Sequence, residues 1–134
     1  MNSKKILFNG IPASGKTTMA TKLHLALEHL GFETVLLDDE VIKRLDANKI
    51  DTLVDFIDAP VTIIVSCNPD IRADIIFWCD CTIEEAQTRD DKRLEAEGLV
   101  SGNMNRWKNY QSKGIKIKDY SEVVCELNKK NLTC

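Results

Sequence analysis

Residues Lys4 to Thr18, KKILFNGIPASGKTT, constrain this chain more than any other stretch. An apolar run (Ile6, Leu7, Phe8) gives way to a loop, and the loop to the start of a helical pattern. The loop has the spacing Gly10-x-x-x-x-Gly15-Lys16-Thr17, the pattern of a phosphate-cradling P-loop. Gly10 lets the chain turn sharply out of a strand, and Gly15 lets the backbone come close to an anion. Backbone N–H groups then point inward as an anion-binding nest at the positive end of the next helix. Lys16 reaches the β- and γ-phosphates of a nucleoside triphosphate as a point charge, and the Thr17 hydroxyl is placed to ligate Mg²⁺. The candidate nucleotide-binding set is Gly10, Pro12, Ala13, Ser14, Gly15, Lys16, Thr17 and Thr18.

Composition narrows what surrounds this loop. A chain of 134 residues has the commonest domain size, so one domain over 1–134 is expected. With 43% apolar and 29% charged residues of both signs, it reads as soluble and globular. The net charge of −3 argues against a nucleic-acid surface and leaves nucleic acid only as an acceptor end at a local patch. The five cysteines are odd in number and no leader precedes the first strand, so a reduced, cytoplasmic compartment is the expectation. Cys79 and Cys81 form a C-x-C, which is not a usual zinc spacing; buried small side chains in a strand explain them better. No apolar stretch approaches the length needed to span a membrane.

Along the chain, strands alternate with helices. Thr17 to Leu30 has Met19, Leu23, Ala26, Leu27 and Leu30 at helical spacing, and Gly31 is its stop. His24 and His29 lie in this helix without a recognisable carboxylate partner. Glu33 to Leu37 is a strand ending in Asp38-Asp39-Glu40, where Asp39 is a candidate N-cap for a helix through Val41, Ile42 and Leu45. Asn48 to Ile57 is a helix, Thr62 to Ser66 and Asp74 to Cys79 are buried strands, and Thr82 with Glu85 makes a capping box for the helix carrying Arg89 to Arg93. Glu95 to Lys113 is polar, with one short helix expected around 106–110. Ile115 to Ile117 is the last strand, followed by a helix with Val123, Val124 and Leu127 inward and a frayed end over 129–131. This order predicts a three-layer α/β fold of the P-loop NTPase type, with about five parallel strands in the order 2-3-1-4-5.

Several of these residues resemble a family. GIPASGKTT resembles the loop of small P-loop kinases, and the match is closest to adenylylsulfate kinases. Their second strand runs into Leu-Asp-Gly-Asp-x-x-Arg, against Leu37-Asp38-Asp39-Glu40-Val41-Ile42-Lys43 here. Their third strand runs into Ser-x-x-Pro, against Ser66-Cys67-Asn68-Pro69; their fourth strand and lid helix match Cys79-Asp80 and Arg89-Asp90-Asp91-Lys92. The departures are a shorter segment between the second and third strands, which lacks the long arginine-containing stretch that grips the sulfonucleotide, and a lid without the Gly-Phe-Thr-Gly-like loop.

The resemblance implies ATP as phosphoryl donor, Mg²⁺, and a small, nucleotide-like hydroxyl acceptor. Lys16, Asp38, Glu40 and Arg89 are then the candidate catalytic residues, and Thr17 with Asp38 the candidate metal ligands. Either Asp38 or Glu40 orients or deprotonates the acceptor hydroxyl, and Arg89, on a lid-like segment over about 88–114, neutralises the transferring phosphoryl group and binds the nucleotide. Lys92 and Arg93 are helpers, or simply part of a solvated charged face. Family members carry the adenine on the loop corresponding to Lys118 to Tyr120. The alternatives are a nucleotide or polynucleotide 5′-hydroxyl kinase, and a nucleotide-binding module without transferase activity; the Asp38-Asp39 pair is shared by polynucleotide kinases. Self-association is left open. An Asn-Lys-x-Asp guanine motif is missing, which argues against a GTPase switch.

Overall fold

The computed structural model of the chain describes residues 4–11, 14–42, 44–68, 70–96 and 114–129. Strand β1 (Lys4–Asn9) runs through the middle of the sheet. Ile6 and Phe8 point to one face and Leu7 to the other, and all three are almost fully buried. Such continuous apolar character belongs to a parallel strand covered on both sides. On one side β1 pairs with β3 (Val61–Ser66), which pairs with β2 (Thr34–Leu37); on the other it pairs with β4 (Ile75–Cys79), which pairs with β5 (Ile115–Ile117). All pairings are parallel and the order is β2-β3-β1-β4-β5, as the sequence predicts.

Helix α1 (Lys16–His29) and the C-terminal helix α5 (Tyr120–Lys129) cover one face. Their Met19, Ala20, Leu23, Leu27, Val123 and Leu127 share a core with Phe8, Ile63 and Phe77, and the rings of Phe8 and Phe77 stack at 5.3 Å. The other face carries α2 (Asp39–Ile42) and α3 (Ala47–Phe56), through Ile42, Ile50 and Val54 against Leu7 and Ile64. Helix α4 (Ile83–Ala96) rests by Ala86 on Ile11 of the loop after β1. In register, Asn9 lies beside Ser66 and Trp78, and Cys79 beside Ile117. The carboxyl ends of the strands therefore meet along one sheet edge, where open α/β sheets bind ligands.

Several expectations need correction. Leu30 and Val124 were expected inward but are 62% and 37% exposed. Leu30 is the C-cap of α1, where the chain leaves the helical stripe, and Val124 follows Val123 off the buried face. Helix α3 starts one residue early because the Asp46 carboxylate caps it, accepting from Lys49 N–H. His24 does have partners: its ring contacts Glu28 one helical turn on (3.1 Å) and the Thr34 hydroxyl (2.6 Å). Helix α4 continues to Ala96, past the point where periodicity fades. Thr82 Oγ accepts from Glu85 N–H, as an N-cap does. The expected short helix at 106–110, most of the lid-like segment and residues 130–131 lie outside the described residues. Among the described residues, no helix is long and apolar enough to cross a membrane.

Candidate nucleotide site

The loop after β1 begins from a fixed point. Asn9 is fully buried and its side-chain amide donates to the Ser66 carbonyl at 2.9 Å, locking the ends of β1 and β3 together. Gly10 then turns with φ +151°, and a Cβ there would lie 2.8 Å from Ser14 Oγ and 3.1 Å from the Cys79 carbonyl. Only glycine lets the loop fold this tightly onto itself and onto the end of β4. Gly15 takes φ +95° as the N-cap of α1; a Cβ there would stand 3.7 Å from Arg89 Nη1. The Arg89 guanidinium thus overhangs the loop from α4.

Two side chains inside this turn are unusual for their burial. Lys16 is only 6% exposed, and its ammonium donates to the Ile11 carbonyl at 2.7 Å. Lysines are rarely buried without a purpose for the charge. Ser14 is 3% exposed, and its hydroxyl finds no hydrogen-bond partner among the described residues. A buried ammonium and an unpartnered buried hydroxyl in one loop, at the positive end of α1, suit an anion with several oxygens. Pro12 and Ala13, also expected in the cradle, lie outside the described residues.

The loop opens into a cavity of about 470 Å³. Helix α1 contributes Lys16, Thr17, Thr18 and Lys22 to its wall, and α4 contributes Arg89 and Arg93. The far wall is Asp80, at the end of β4, with Lys118, Asp119 and Tyr120 between β5 and α5. Five cations therefore face two carboxylates in a chain whose net charge is −3. Most of those cations are tethered. Lys118 pairs with Asp80 at 3.3 Å and Arg93 with the buried Asp90 at 2.7 Å. Arg89 Nη1 donates to Cys81 Sγ at 3.6 Å. The Asp119 carboxyl is held below the usual range by the Ser121 hydroxyl and Glu122 N–H that it accepts.

On the other side of the loop, Asp38 leaves the end of β2. Its Oδ1 accepts from the Thr17 hydroxyl (3.2 Å) and from Asp39 N–H (2.8 Å), and its carbonyl accepts from Val41 N–H. Asp38 rather than Asp39 therefore sits ahead of α2, and the expected Asp39 cap is corrected. The physical reason is position: Asp39 is already inside the first turn. Thr17 and Asp38 together offer two hard oxygens side by side, a donor set suited to Mg²⁺ completed by phosphate oxygens and water. Glu40 is exposed on α2 and Lys92 exposed on α4, and neither is among the described residues lining the cavity.

Cys79 is a packing group in the core. Burial pushes the Cys79 thiol up to about 12, with Lys16 opposing, and Cys79 Sγ contacts Met19 Sδ at 3.9 Å. Cys81, half-buried beyond the strand, is also raised by burial, with Arg89 opposing. Sequence reasoning assigned no role to Lys22 or Asp80, and it read Cys81 as a buried strand residue, whereas the strand ends at Cys79 and Cys81 is half-buried beyond it. Lys22 was reachable, since it follows Thr18 by one helical turn. Asp80 and Cys81 become neighbours of Lys118 and Arg89 only through strand order.

No family model and no curated protein match the sequence. Among solved structures, the fold is similar to that in the crystal structure of APE1195: TM-score 0.64, 18% identity, over 98% of this chain and 93% of that one. It is also similar to a protein of Silicibacter sp. TM1040 provisionally named a fructose transport system kinase: TM-score 0.60, 15% identity, over 85% and 88% of the two chains. At such identities the likeness establishes the three-layer α/β fold alone.

Proposed function

We propose that this chain is an ATP-dependent kinase that transfers the γ-phosphoryl group to a hydroxyl of a small acceptor. The observation that carries the reading is the cavity itself: a P-loop with buried Lys16 and unpartnered Ser14 Oγ, overhung by Arg89, beside a Thr17–Asp38 pair. Phosphoryl transfer requires positioning and charge neutralisation more than covalent chemistry. Lys16 moves from the Ile11 carbonyl to the β- and γ-oxygens. Arg89 neutralises charge on the phosphoryl group in flight. Asp38, with Glu40 as the other candidate, takes the acceptor's proton as its oxygen bonds to phosphorus and the bond to ADP breaks. Asp38 is favoured because it touches Thr17, whereas Glu40 is exposed. Thr17 and Asp38 would hold Mg²⁺, which when bound draws charge from the phosphate oxygens.

For the acceptor, the sequence resemblance supports a nucleotide-like compound of the adenylylsulfate type. The likeness in fold to a protein named for fructose adds a sugar hydroxyl to the set worth testing. Transfer of label from [γ-³²P]ATP to adenylylsulfate, nucleotides, a 5′-hydroxyl oligonucleotide and fructose decides among them. Transfer to one of these identifies the class; tight ATP binding with neither transfer nor hydrolysis identifies a nucleotide-binding module instead.

A further inference from the structure

Lys22 stands apart from the other cations of the cavity. Lys16 donates to Ile11, Arg89 to Cys81, Arg93 to Asp90, and Lys118 pairs with Asp80. Lys22 lines the same cavity, yet it has no hydrogen-bond or ion-pair partner among the described residues. It follows Thr18 by four residues, so the two share a face of α1, with Lys22 about 6 Å further along the axis. An anion held by the loop sits at the helix N-terminus, where the dipole and the free N–H groups are. Lys22 is rooted about 6 Å past that point and lines the same cavity as Tyr120 on the far wall, so groups that follow the terminal phosphates come within its reach.

We propose that Lys22 is a binding residue for the nucleoside end of the nucleotide, donating to oxygens at the junction of α-phosphate and ribose. The proposal rests on the nucleotide reading of the cavity. An ammonium carries three donors and no acceptor, so it matches phosphate and hydroxyl oxygens. No carboxylate among the described residues pairs with it, so its donors are open to a ligand in the cavity. Lys22 thereby lets the site distinguish a nucleotide from inorganic pyrophosphate, which has no α-phosphate.

Calorimetric titration of the full chain with ATP, AMP and inorganic pyrophosphate tests this, on wild type, Lys22→Ala and Lys22→Arg. In Lys22→Ala, affinity for ATP and AMP is expected to fall roughly tenfold while pyrophosphate affinity holds; a tenfold change is well resolved by titration. Lys22→Arg is expected to retain most of the ATP affinity. In transfer assays the same loss appears in KM for ATP. Equal losses for ATP and pyrophosphate would assign Lys22 to the terminal phosphates and overturn the proposal. Unchanged ATP affinity would make it a solvent lysine and also overturn it, leaving the nucleotide reading intact. Wild type that binds none of the three ligands ends the nucleotide reading itself, and this proposal with it. Lys22 is exposed, so circular dichroism of the variants should match wild type.

Discussion

The two sides of the sheet edge differ in how they are made. On the phosphate side, one continuous segment from Asn9 to Lys22 supplies the strand end, the turn, the buried ammonium and the helix N-terminus. On the β2 side, Asp38 and Glu40 sit around a four-residue helix, with only the ten-residue α3 before β3. The first region is cationic and closed over by α4; the second is anionic and more open. Backbone geometry dominates the first, because N–H groups and glycine torsions form the cradle. Side-chain chemistry dominates the second. On the kinase reading proposed above, backbone constraint builds the donor side and side chains build the acceptor side.

That contrast can be broken experimentally. Lys16→Ala should have the largest effect, lowering transfer roughly a thousandfold or more, since it removes the main charge on the transferring oxygens. Circular dichroism and melting should show the fold intact; retained activity would end the P-loop reading. Arg89→Ala should lower kcat on the order of a hundredfold, with Arg89→Lys recovering part of it. Equal activity in all three forms would return Arg89 to the solvated face of α4. On the β2 side, Asp38→Asn is expected to slow transfer on the order of tenfold to a hundredfold, and Glu40→Gln less than about threefold. Matched mild effects would remove both from catalysis and leave that side as binding surface only.

Two smaller effects concern the frame. Gly10→Ala forces a Cβ to within 2.8 Å of Ser14 Oγ at φ +151°. A loss of about 1–3 kcal/mol in chemical denaturation is expected. A wild-type denaturation midpoint would show that the loop relaxes freely. Cys79 sets the smallest effect. Its folded thiol titrates near 12 against an ordinary 9.0, so its stabilising contribution is complete below pH 9 and is lost as pH rises towards 12. Cys79→Val should flatten the alkaline fall in stability between pH 9 and 11, measured by urea melts. An unchanged slope would mean that other groups carry it.

Much of the fold was legible because its signals are local. Strand runs such as Ile6 to Phe8 and Thr62 to Ser66 are apolar and β-branched, and Thr82 announces the start of α4. Errors fell where local rules compete. Leu30 and Val124 fit the helical spacing but lie at or beyond the edge of the buried stripe, and either aspartate could open α2 by its chemistry alone.

The sequence by itself determined the loop after β1, because Gly10, Gly15 and Lys16 act through torsions and N–H groups within a few residues of one another. Tertiary structure decided what stands around it. Arg89 overhangs Gly15, Asp38 meets Thr17, and Asp80 holds Lys118 only because β2 and β4 end on the same edge as β1. Such meetings depend on strand order and register, which no local run of side chains encodes. Lys22 belongs to both: helical spacing sets it one turn beyond Thr18, and the walls from α4 and α5 make that turn the side of a cavity.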